Sequence, residues 1–122
     1  MLQYILIAFG GSLGSLARYY LSNSLLKNFI FFDFPVAILA VNILGSFVFG
    51  IIMGIIENNL ISENIKNFLL FGFLAAFTTF STFAWEAITL IHSEMYIKLI
   101  MYCLLSVSLS VIFCLIGYHL GK

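Results

Sequence analysis

Polar interruptions divide the chain into four long apolar stretches. They cover residues 2–22, about 34–56, about 65–92 and about 96–120. Each stretch supplies the roughly 20 residues that a helix needs to cross the ~30 Å hydrocarbon core of a bilayer. The pattern therefore predicts an all-α membrane protein with four transmembrane helices in a single domain covering residues 1–122.

The connections between these stretches are rich in polar residues and turn formers. The first connection holds the sequence's only proline, Pro35, which suits the first turn of the second helix because its missing N–H has no partner there anyway. The second connection, within residues 57–67, is the most polar segment, and a short turn at 93–95 precedes the last stretch. The first connection is marked by the polar residues Asn23, Ser24, Lys27, Asn28 and Asp33.

Composition and charge support the membrane assignment and exclude several kinds of partner. Hydrophobic residues make up 63% of the chain and charged residues 8%, whereas roughly a quarter of a soluble domain is charged. Five basic residues balance five acidic ones. Because there is no excess of positive charge, we expect no nucleic-acid partner and no polybasic contact with anionic lipid.

The few basic residues give little preference for one orientation in the membrane. With the N-terminus inside, two lysines (Lys66 and Lys122) lie inside, and Lys27, Lys98 and Arg18 lie outside. Orientation normally follows an excess of Lys and Arg on the cytoplasmic side. The near balance favours insertion in both directions, giving an antiparallel homodimer, about as much as it favours a single topology obscured by loop assignment.

A cluster of hydroxyls lies at the centre of the third apolar stretch. Residues 78–82 carry four hydroxyls in five positions, and the midpoint of the stretch falls at about Thr78. Such a cluster, with β-branched threonines, favours a local break in the helix. Broken helices at the bilayer midplane are where transporters bind ions. The alternative is a hydroxyl-rich packing seam between intact helices.

Further polar groups lie inside the second and fourth stretches. Asn42 needs a partner or a wet path, because an unsatisfied amide in lipid costs several kcal/mol. Tyr102, Ser106 and Ser110 follow at intervals of four, along one helix face. Each could simply bond a neighbouring helix. Together they form a candidate track of neutral donors without a carboxylate, which suits a small anion better than a proton-coupled cation.

Glycines and cysteines have simpler interpretations. Cys103 and Cys114 lie about 16 Å apart along one helix and cannot pair within a chain. No zinc or phosphate motif, and no nucleophile with a base, is present, so we expect no enzyme.

Glycines recur at the GxxxG spacing, which lets membrane helices approach closely. The pairs are Gly10 and Gly14, Gly50 and Gly54, and Gly117 and Gly121.

Three motifs occur in order along the first three apolar stretches. They are Gly10-Gly11-x-x-Gly14-x-x-x-Arg18-Tyr19, Asn42-x-x-Gly45-x-Phe47-x-x-Gly50 and Thr78-Thr79-Phe80-Ser81-Thr82-Phe83-x-x-Glu86. In order and spacing they resemble those of the Fluc/CrcB fluoride channels, and the resemblance covers the whole chain. It implies passive export of fluoride across the cell (inner) membrane. It also implies an antiparallel, dual-topology homodimer with two pores and one structural sodium ion at the dimer centre.

The resemblance also assigns roles to individual residues. The sodium ligands would be backbone carbonyls of Ala75 and Thr78, because sodium is a hard cation that takes oxygen ligands. Arg18 would gather anions at the pore vestibule, or would serve only as an interfacial anchor. The fluoride pathway would comprise Asn42, a box formed by Phe80 and Phe83, and then Tyr102, Ser106, Ser110 and Arg18.

The residues just before the threonine pair depart from the family pattern. The family usually has two glycines before the threonine pair, whereas this chain has Ala75-Ala76-Phe77. A break requiring positive φ would be strained with alanine, so sodium binding is the property most exposed to this change.

Glu86 is the only carboxylate well inside a span, and we interpret it as a helix-positioning or capping partner rather than an ion carrier.

Two other functions remain as alternatives. A small four-span proton-coupled multidrug exporter is equally short, but it needs a membrane-embedded acid in its first span, and residues 2–22 contain no Asp or Glu. A non-transporting packing subunit would explain the glycines and leave the hydroxyl cluster unexplained.

Overall fold

Five helices make up most of the part of the chain that the structure describes. The computed structural model describes residues 1–28, 30–31 and 34–122. Asp33, one of the residues expected to mark the first connection, lies outside the described residues. Helix α1 spans Leu2–Tyr20 and continues as a π-helical turn over Leu21–Leu25, and α2 spans Val36–Glu57. The last two helices, α4 and α5, span Phe80–His92 and Tyr96–Gly121.

The remaining helix, α3 (63–77), changes its winding twice. It begins as a short α-helix, Glu63–Lys66, continues as a π-helix, Asn67–Leu74, and ends as an α-helical turn, Ala75–Phe77. The Ser62 hydroxyl caps its first turn by accepting a hydrogen bond from the amide of Ile65. Together α3 and α4 form the third predicted span, interrupted at Thr78 and Thr79.

One short piece of β-structure was not expected. The sequence predicts helices and connections only, yet two strands of two residues, Ile30–Phe31 (β1) and Phe34–Pro35 (β2), pair antiparallel within the first connection. Pro35 ends this pair and is the residue immediately before α2, so the second helix begins at Val36. Four residues in strands do not alter the all-α class.

Among the described residues, three helical segments are long and apolar enough to cross a membrane. They are Val36–Glu57, Glu63–His92 and Tyr96–Gly121. These three agree with the second, third and fourth predicted stretches to within two residues at each end. The α1 segment is not in this group, because Gln3, Arg18, three glycines and two serines lower its hydropathy. The chain is an all-α, multi-pass membrane protein.

Glycine contacts bring the helices together in two tight pairs. A Cβ on Gly50 would collide with the carbonyl of Cys114, and one on Gly117 would collide with the carbonyl of Phe47. Helices α2 and α5 therefore touch backbone to backbone. In the same way, Gly10 and Gly14 of α1 lie against the backbone of α3. The expectation that GxxxG motifs mark close packing is confirmed.

Candidate functional site

The interruption of the third span is built from two extended threonines. Thr78 has φ −80° and ψ 154°, and Thr79 has φ −149° and ψ 124°. The Thr78 hydroxyl donates to the carbonyl of Leu74 at 3.0 Å and so closes the end of α3. The Thr79 hydroxyl accepts from the amide of Thr82 at 3.3 Å and caps the start of α4. The predicted break is confirmed. The hydroxyls of the two threonines that predicted it make hydrogen bonds with backbone groups at the two helix ends.

Asn42 of α2 holds the break from outside. Its Nδ2 donates to the carbonyl of Thr79 at 2.9 Å, and its Oδ1 accepts from the amide of Thr79 at 2.8 Å. The expectation that Asn42 needs a polar partner is therefore confirmed. Because a carboxamide carries two N–H donors, the contact with Thr79 leaves one donor for another acceptor.

Gly45, one turn along α2 from Asn42, lets this helix approach the break. A Cβ at Gly45 would collide with Cγ2 of Thr78 and lie 3.2 Å from Cδ1 of Phe77. Both of these atoms belong to the segment where the third span changes direction. The glycine is thus required by close packing against the break.

The alanines before the break are not strained. Ala75 has φ −62° and ψ −32°, and among the described residues positive φ occurs outside glycine only at Asn59 and Glu94. The strain expected from replacing glycine by alanine therefore does not arise, because this break does not use positive φ.

The carbonyls of Ala75 and Thr78 lose their usual helical donors. In an α-helix the carbonyl of residue i accepts from the amide of residue i+4. The amide of Thr79 donates to Asn42 instead of to Ala75, and the amide of Thr82 donates to the Thr79 hydroxyl instead of to Thr78. Backbone oxygens freed in this way are the donor type that a hard cation such as sodium requires.

A groove of about 410 Å³ runs beside the break between α2, α4 and α5. It brings together five of the predicted pathway residues: Asn42, Phe80, Phe83, Ser106 and Ser110. Within the described part of the chain, no charged side chain lines it. The other residues along its walls are Gly45, Ser46, Phe49, Thr78, Thr79, Val107, Val111 and Cys114.

Ser106 supplies a hydroxyl that has no protein partner. Its side chain is 7% exposed, and its Oγ makes no hydrogen bond within the described part of the chain. An unsatisfied buried hydroxyl costs roughly 1–3 kcal/mol. Ser106 thus places beside the groove a buried hydrogen-bond donor that is not used by the described part of the fold.

The two predicted box residues lie on the first turn of α4. The ring centroids of Phe80 and Phe83 are 5.4 Å apart, and their planes are inclined at 44°. Phe80 is 77% exposed, whereas Phe83 is partly buried and packs on the ring of Tyr102 at 5.1 Å. One wall of the groove is therefore aromatic, and Phe80 projects from its edge.

Tyr102 does not line the groove. It is fully buried, and its hydroxyl donates to Oε2 of Glu86 on α4. The helical spacing that grouped Tyr102 with Ser106 and Ser110 is correct, but Tyr102 lies at the end of this face, behind Phe83. The Glu86 contact joins α4 to α5, which agrees with the interpretation of Glu86 as a positioning residue.

Arg18 lies in a second cavity, away from the groove. This cavity has a volume of about 290 Å³ and is walled by residues of α1, α2 and α4. Glu86 also lines this cavity, but Arg18 and Glu86 form no ion pair with each other. Elsewhere among the described residues, Lys66 and Glu63 form an ion pair at 3.4 Å. The other lining residues are Ser15, Tyr19, Ser22, Asn23, Ala37, Ile38 and Thr82.

Sequence reasoning missed three polar or reactive groove residues. Ser46 follows Asn42 by four positions on α2, and Cys114 follows Ser110 by four positions on α5. The spacing that identified Tyr102, Ser106 and Ser110 could therefore have found both. Thr79 was recognised only as part of the hydroxyl cluster, although it also lines the groove.

Comparison with known proteins identifies the family. The family model described as CrcB-like protein, Camphor Resistance (CrcB), matches residues 5–118. Among curated relatives, the fluoride-specific ion channel FluC of Campylobacter fetus is 38% identical over 116 residues, covering 95% of this chain and 91% of the relative. FluC 1 of Halalkalibacterium halodurans is 38% identical over 122 residues, covering 97% and 96%. FluC of Nitratidesulfovibrio vulgaris is 35% identical over 123 residues, covering 100% and 98%. With a family match over nearly its full length and relatives of this similarity, the chain belongs to the CrcB family.

Proposed function

We propose that this protein is a passive fluoride-selective ion channel. The observation that carries this proposal is the uncharged groove, in which the buried Ser106 hydroxyl is left without a partner. A donor held in place in a site of low polarity stabilises an anion strongly, because little water competes for it. The curated relatives reported above, which cover nearly the whole chain, carry the name fluoride-specific ion channel.

Export of fluoride explains the use of a passive channel. Fluoride enters a cell as neutral HF, dissociates in a less acidic cytoplasm and is trapped there as the anion. A channel in the cell (inner) membrane lets the anion leave down its electrochemical gradient and so gives fluoride resistance. The protein therefore acts by conduction and not as an enzyme.

The fluoride pathway runs through the groove residues. Asn42 offers its remaining amide N–H, and Ser106 and Ser110 offer hydroxyls along α5. The edges of the Phe80 and Phe83 rings carry the positive end of the aromatic quadrupole and can face an anion. Tyr102 acts from behind Phe83 by fixing that ring, and Arg18 gathers anions at the second cavity.

The proton-coupled multidrug exporter is not supported. That mechanism needs a titratable acid in the transport path, and among the described residues neither Asp nor Glu lines the groove. Glu86 of α4 accepts a hydrogen bond from the Tyr102 hydroxyl. The names of the relatives also describe channels and not exporters.

The assembly we propose is an antiparallel, dual-topology homodimer. Each copy has one domain covering residues 1–122, with α1 as a fourth span packed on α3 through Gly10 and Gly14. The nearly balanced basic residues favour insertion in both directions. In such a dimer, Phe80, which lies at the edge of the groove and is 77% exposed, would contact the second copy.

A structural sodium ion fits the break. The carbonyls of Ala75 and Thr78, freed from helical hydrogen bonds, would hold it at the dimer centre. A two-fold axis in the membrane plane requires any site on it to lie at the midplane, where the sequence places Thr78. The bound cation would supply charge that stabilises the interrupted backbone.

Ion efflux from liposomes tests the proposed function. Purified protein is reconstituted, and release of fluoride is followed with a fluoride-selective electrode, in parallel with chloride release and with sodium replaced by a larger cation. We expect rapid fluoride efflux without chloride efflux. Absence of fluoride efflux from well-folded protein in both cation conditions would contradict the channel function.

A further inference from the structure

We propose that the second cavity binds the headgroup of a zwitterionic phospholipid, with Arg18 holding its phosphate and Glu86 holding its primary ammonium. The lipid class with these two groups is phosphatidylethanolamine. The headgroup phosphate is a further anion that Arg18 would attract, and its binding does not depend on fluoride passage.

Two opposite charges share this cavity without pairing with each other. Arg18 of α1 and Glu86 of α4 both line it, and no ion pair joins them. The guanidinium of Arg18 makes no hydrogen bond within the described part of the chain. Oε2 of Glu86 accepts from the Tyr102 hydroxyl, which leaves Oε1 for a further donor. A ligand that carries both signs of charge can contact both groups at once, whereas a simple anion or cation satisfies only one of them.

Neutral donors accompany Arg18 on its side of the cavity. Oδ1 of Asn23 lies 3.0 Å from the Ser22 hydroxyl, so the amide N–H groups of Asn23 remain available within the described structure. Ser15, three residues before Arg18, adds a hydroxyl to the same wall. The guanidinium presents a planar fork of N–H donors that matches the oxygens of a phosphate. The Arg18 side therefore suits a phosphate, and the open carboxylate oxygen of Glu86 suits an ammonium group.

The cavity lies at the level of the lipid headgroups. Its walls include the last turn of α1 and the first turn of α2, where Ala37 and Ile38 lie, so both helices reach their ends here. Tyr19, which lines the cavity, and Trp85, which precedes Glu86, are each 65% exposed. Exposed Tyr and Trp side chains are enriched at the headgroup level of membrane proteins. The ligand with both charges at this depth is therefore a membrane lipid.

The chemistry of the two charged groups selects one phospholipid class. An anionic phospholipid offers nothing to Glu86, and the quaternary ammonium of phosphatidylcholine has no N–H to donate. A primary ammonium donates charge-assisted hydrogen bonds, which are roughly twice as strong as neutral ones. The volume of about 290 Å³, against roughly 30 Å³ for one water, is sufficient for the small ethanolamine headgroup.

Native mass spectrometry of the purified, full-length protein tests this site. Phosphatidylethanolamine, phosphatidylcholine and phosphatidylglycerol with identical acyl chains are added separately, and bound lipid per chain is measured. We expect wild type to bind phosphatidylethanolamine about tenfold more tightly than the other two, the effect of one charge-assisted hydrogen bond. Arg18→Gln should weaken binding of phosphatidylethanolamine and phosphatidylglycerol alike. Glu86→Gln, which keeps an acceptor for Tyr102, should remove the preference between these two lipids.

Lys27→Gln and Glu94→Gln are matched controls for the two charges. Both side chains are exposed and neither lines the cavity, so both variants should keep the wild-type preference. Loss of the preference in either control would indicate a general effect of surface charge and would overturn the site.

Three further results would also overturn the proposal. They are equal affinity of wild type for the three lipids, an unchanged preference in Glu86→Gln, and binding of soluble glycerophosphoethanolamine as tight as that of the lipid, which would make a solute the ligand. If neither cavity variant folds, the lipid preference of wild type still decides. Fluoride efflux from the same wild-type preparation tests the proposed function separately, because lipid binding requires no ion flux.

Discussion

At the residue scale, Asn42 and Ser106 play opposite parts in the groove. Asn42 makes two hydrogen bonds to the backbone of Thr79 and so stabilises the interruption of the third span. Ser106 makes no hydrogen bond within the described structure, although it is almost fully buried. The Asn42 amide is therefore used by the fold, whereas the Ser106 hydroxyl is not.

Replacing Asn42 by leucine should weaken both the fold and conduction. The amide and carbonyl of Thr79 would lose their partners, and at about 1 kcal/mol per hydrogen bond the loss is about 2 kcal/mol of unfolding free energy. Unfolding of purified protein in a denaturing detergent mixture measures this loss. The control is Asn64→Leu, at an exposed position near the start of α3, which should change stability by less than about 0.5 kcal/mol. Equal stability of the two variants would contradict the role of Asn42.

Replacing Ser106 by alanine should separate function from stability. Since the hydroxyl has no protein partner, its removal should change the unfolding free energy by less than about 1 kcal/mol. Loss of one donor to the anion, worth roughly 1.4 kcal/mol, corresponds to about a tenfold lower fluoride efflux. Ser108→Ala, an exposed position on the same helix, serves as the control. Efflux from Ser106→Ala that equals that of Ser108→Ala would remove Ser106 from the pathway.

At the scale of the elements, the glycine contacts set the spacing of the helices. Gly50 and Gly54 of α2 face Gly117 and Gly121 of α5, so the two backbones touch. Membrane helices gain little from hydrophobic burial, and close packing of this kind is what drives their association. The groove lies along the same pair of helices, and its width therefore depends on this contact.

A methyl group at Gly117 should force α2 and α5 apart. Its Cβ would collide with the carbonyl of Phe47, which is backbone and cannot turn aside. We expect Gly117→Ala to lower the unfolding free energy by about 1–3 kcal/mol, as for other overpacked sites. In Gly11→Ala the nearest atom is 3.9 Å away, an ordinary contact, so this variant should be close to neutral. Comparable thermal stability of the two proteins in detergent would refute the tight crossing.

At the scale of the whole molecule, orientation in the membrane decides which assembly can form. The near balance of basic residues on the two sides is the feature from which we proposed two copies in opposite orientations. An antiparallel pair would place two grooves in opposite directions, so that conduction would be the same from either side.

Reporter fusions at the C-terminus test the dual topology. One fusion carries alkaline phosphatase, which is active outside the cytoplasm, and the other carries green fluorescent protein, which is active inside. We expect substantial activity from both fusions, because neither orientation is favoured by charge. Adding three lysines to one connection should bias both readouts in opposite directions. Activity from only one unmodified fusion would show a single topology.

The sequence by itself determined the class of the protein and the location of its break. Long apolar stretches can satisfy their backbone in lipid only as helices, and the Thr78-Thr79 pair supplies both the interruption and its caps. The spacing of Ser106 and Ser110, and the position of Asn42 inside an apolar stretch, identified three groove residues, although the same spacing also selected Tyr102, which does not line the groove. These features depend on local composition and on helical periodicity, which the order of residues fixes directly.

Only the tertiary structure decided which side chains share a space. Tyr102 follows the same spacing as Ser106 and yet binds Glu86 behind Phe83, while Cys114 enters the groove. The extended backbone of Thr79 is likewise held by Asn42, which lies 37 residues earlier in the chain. Such contacts join distant parts of the sequence, and their geometry follows from how the helices pack and not from any local pattern.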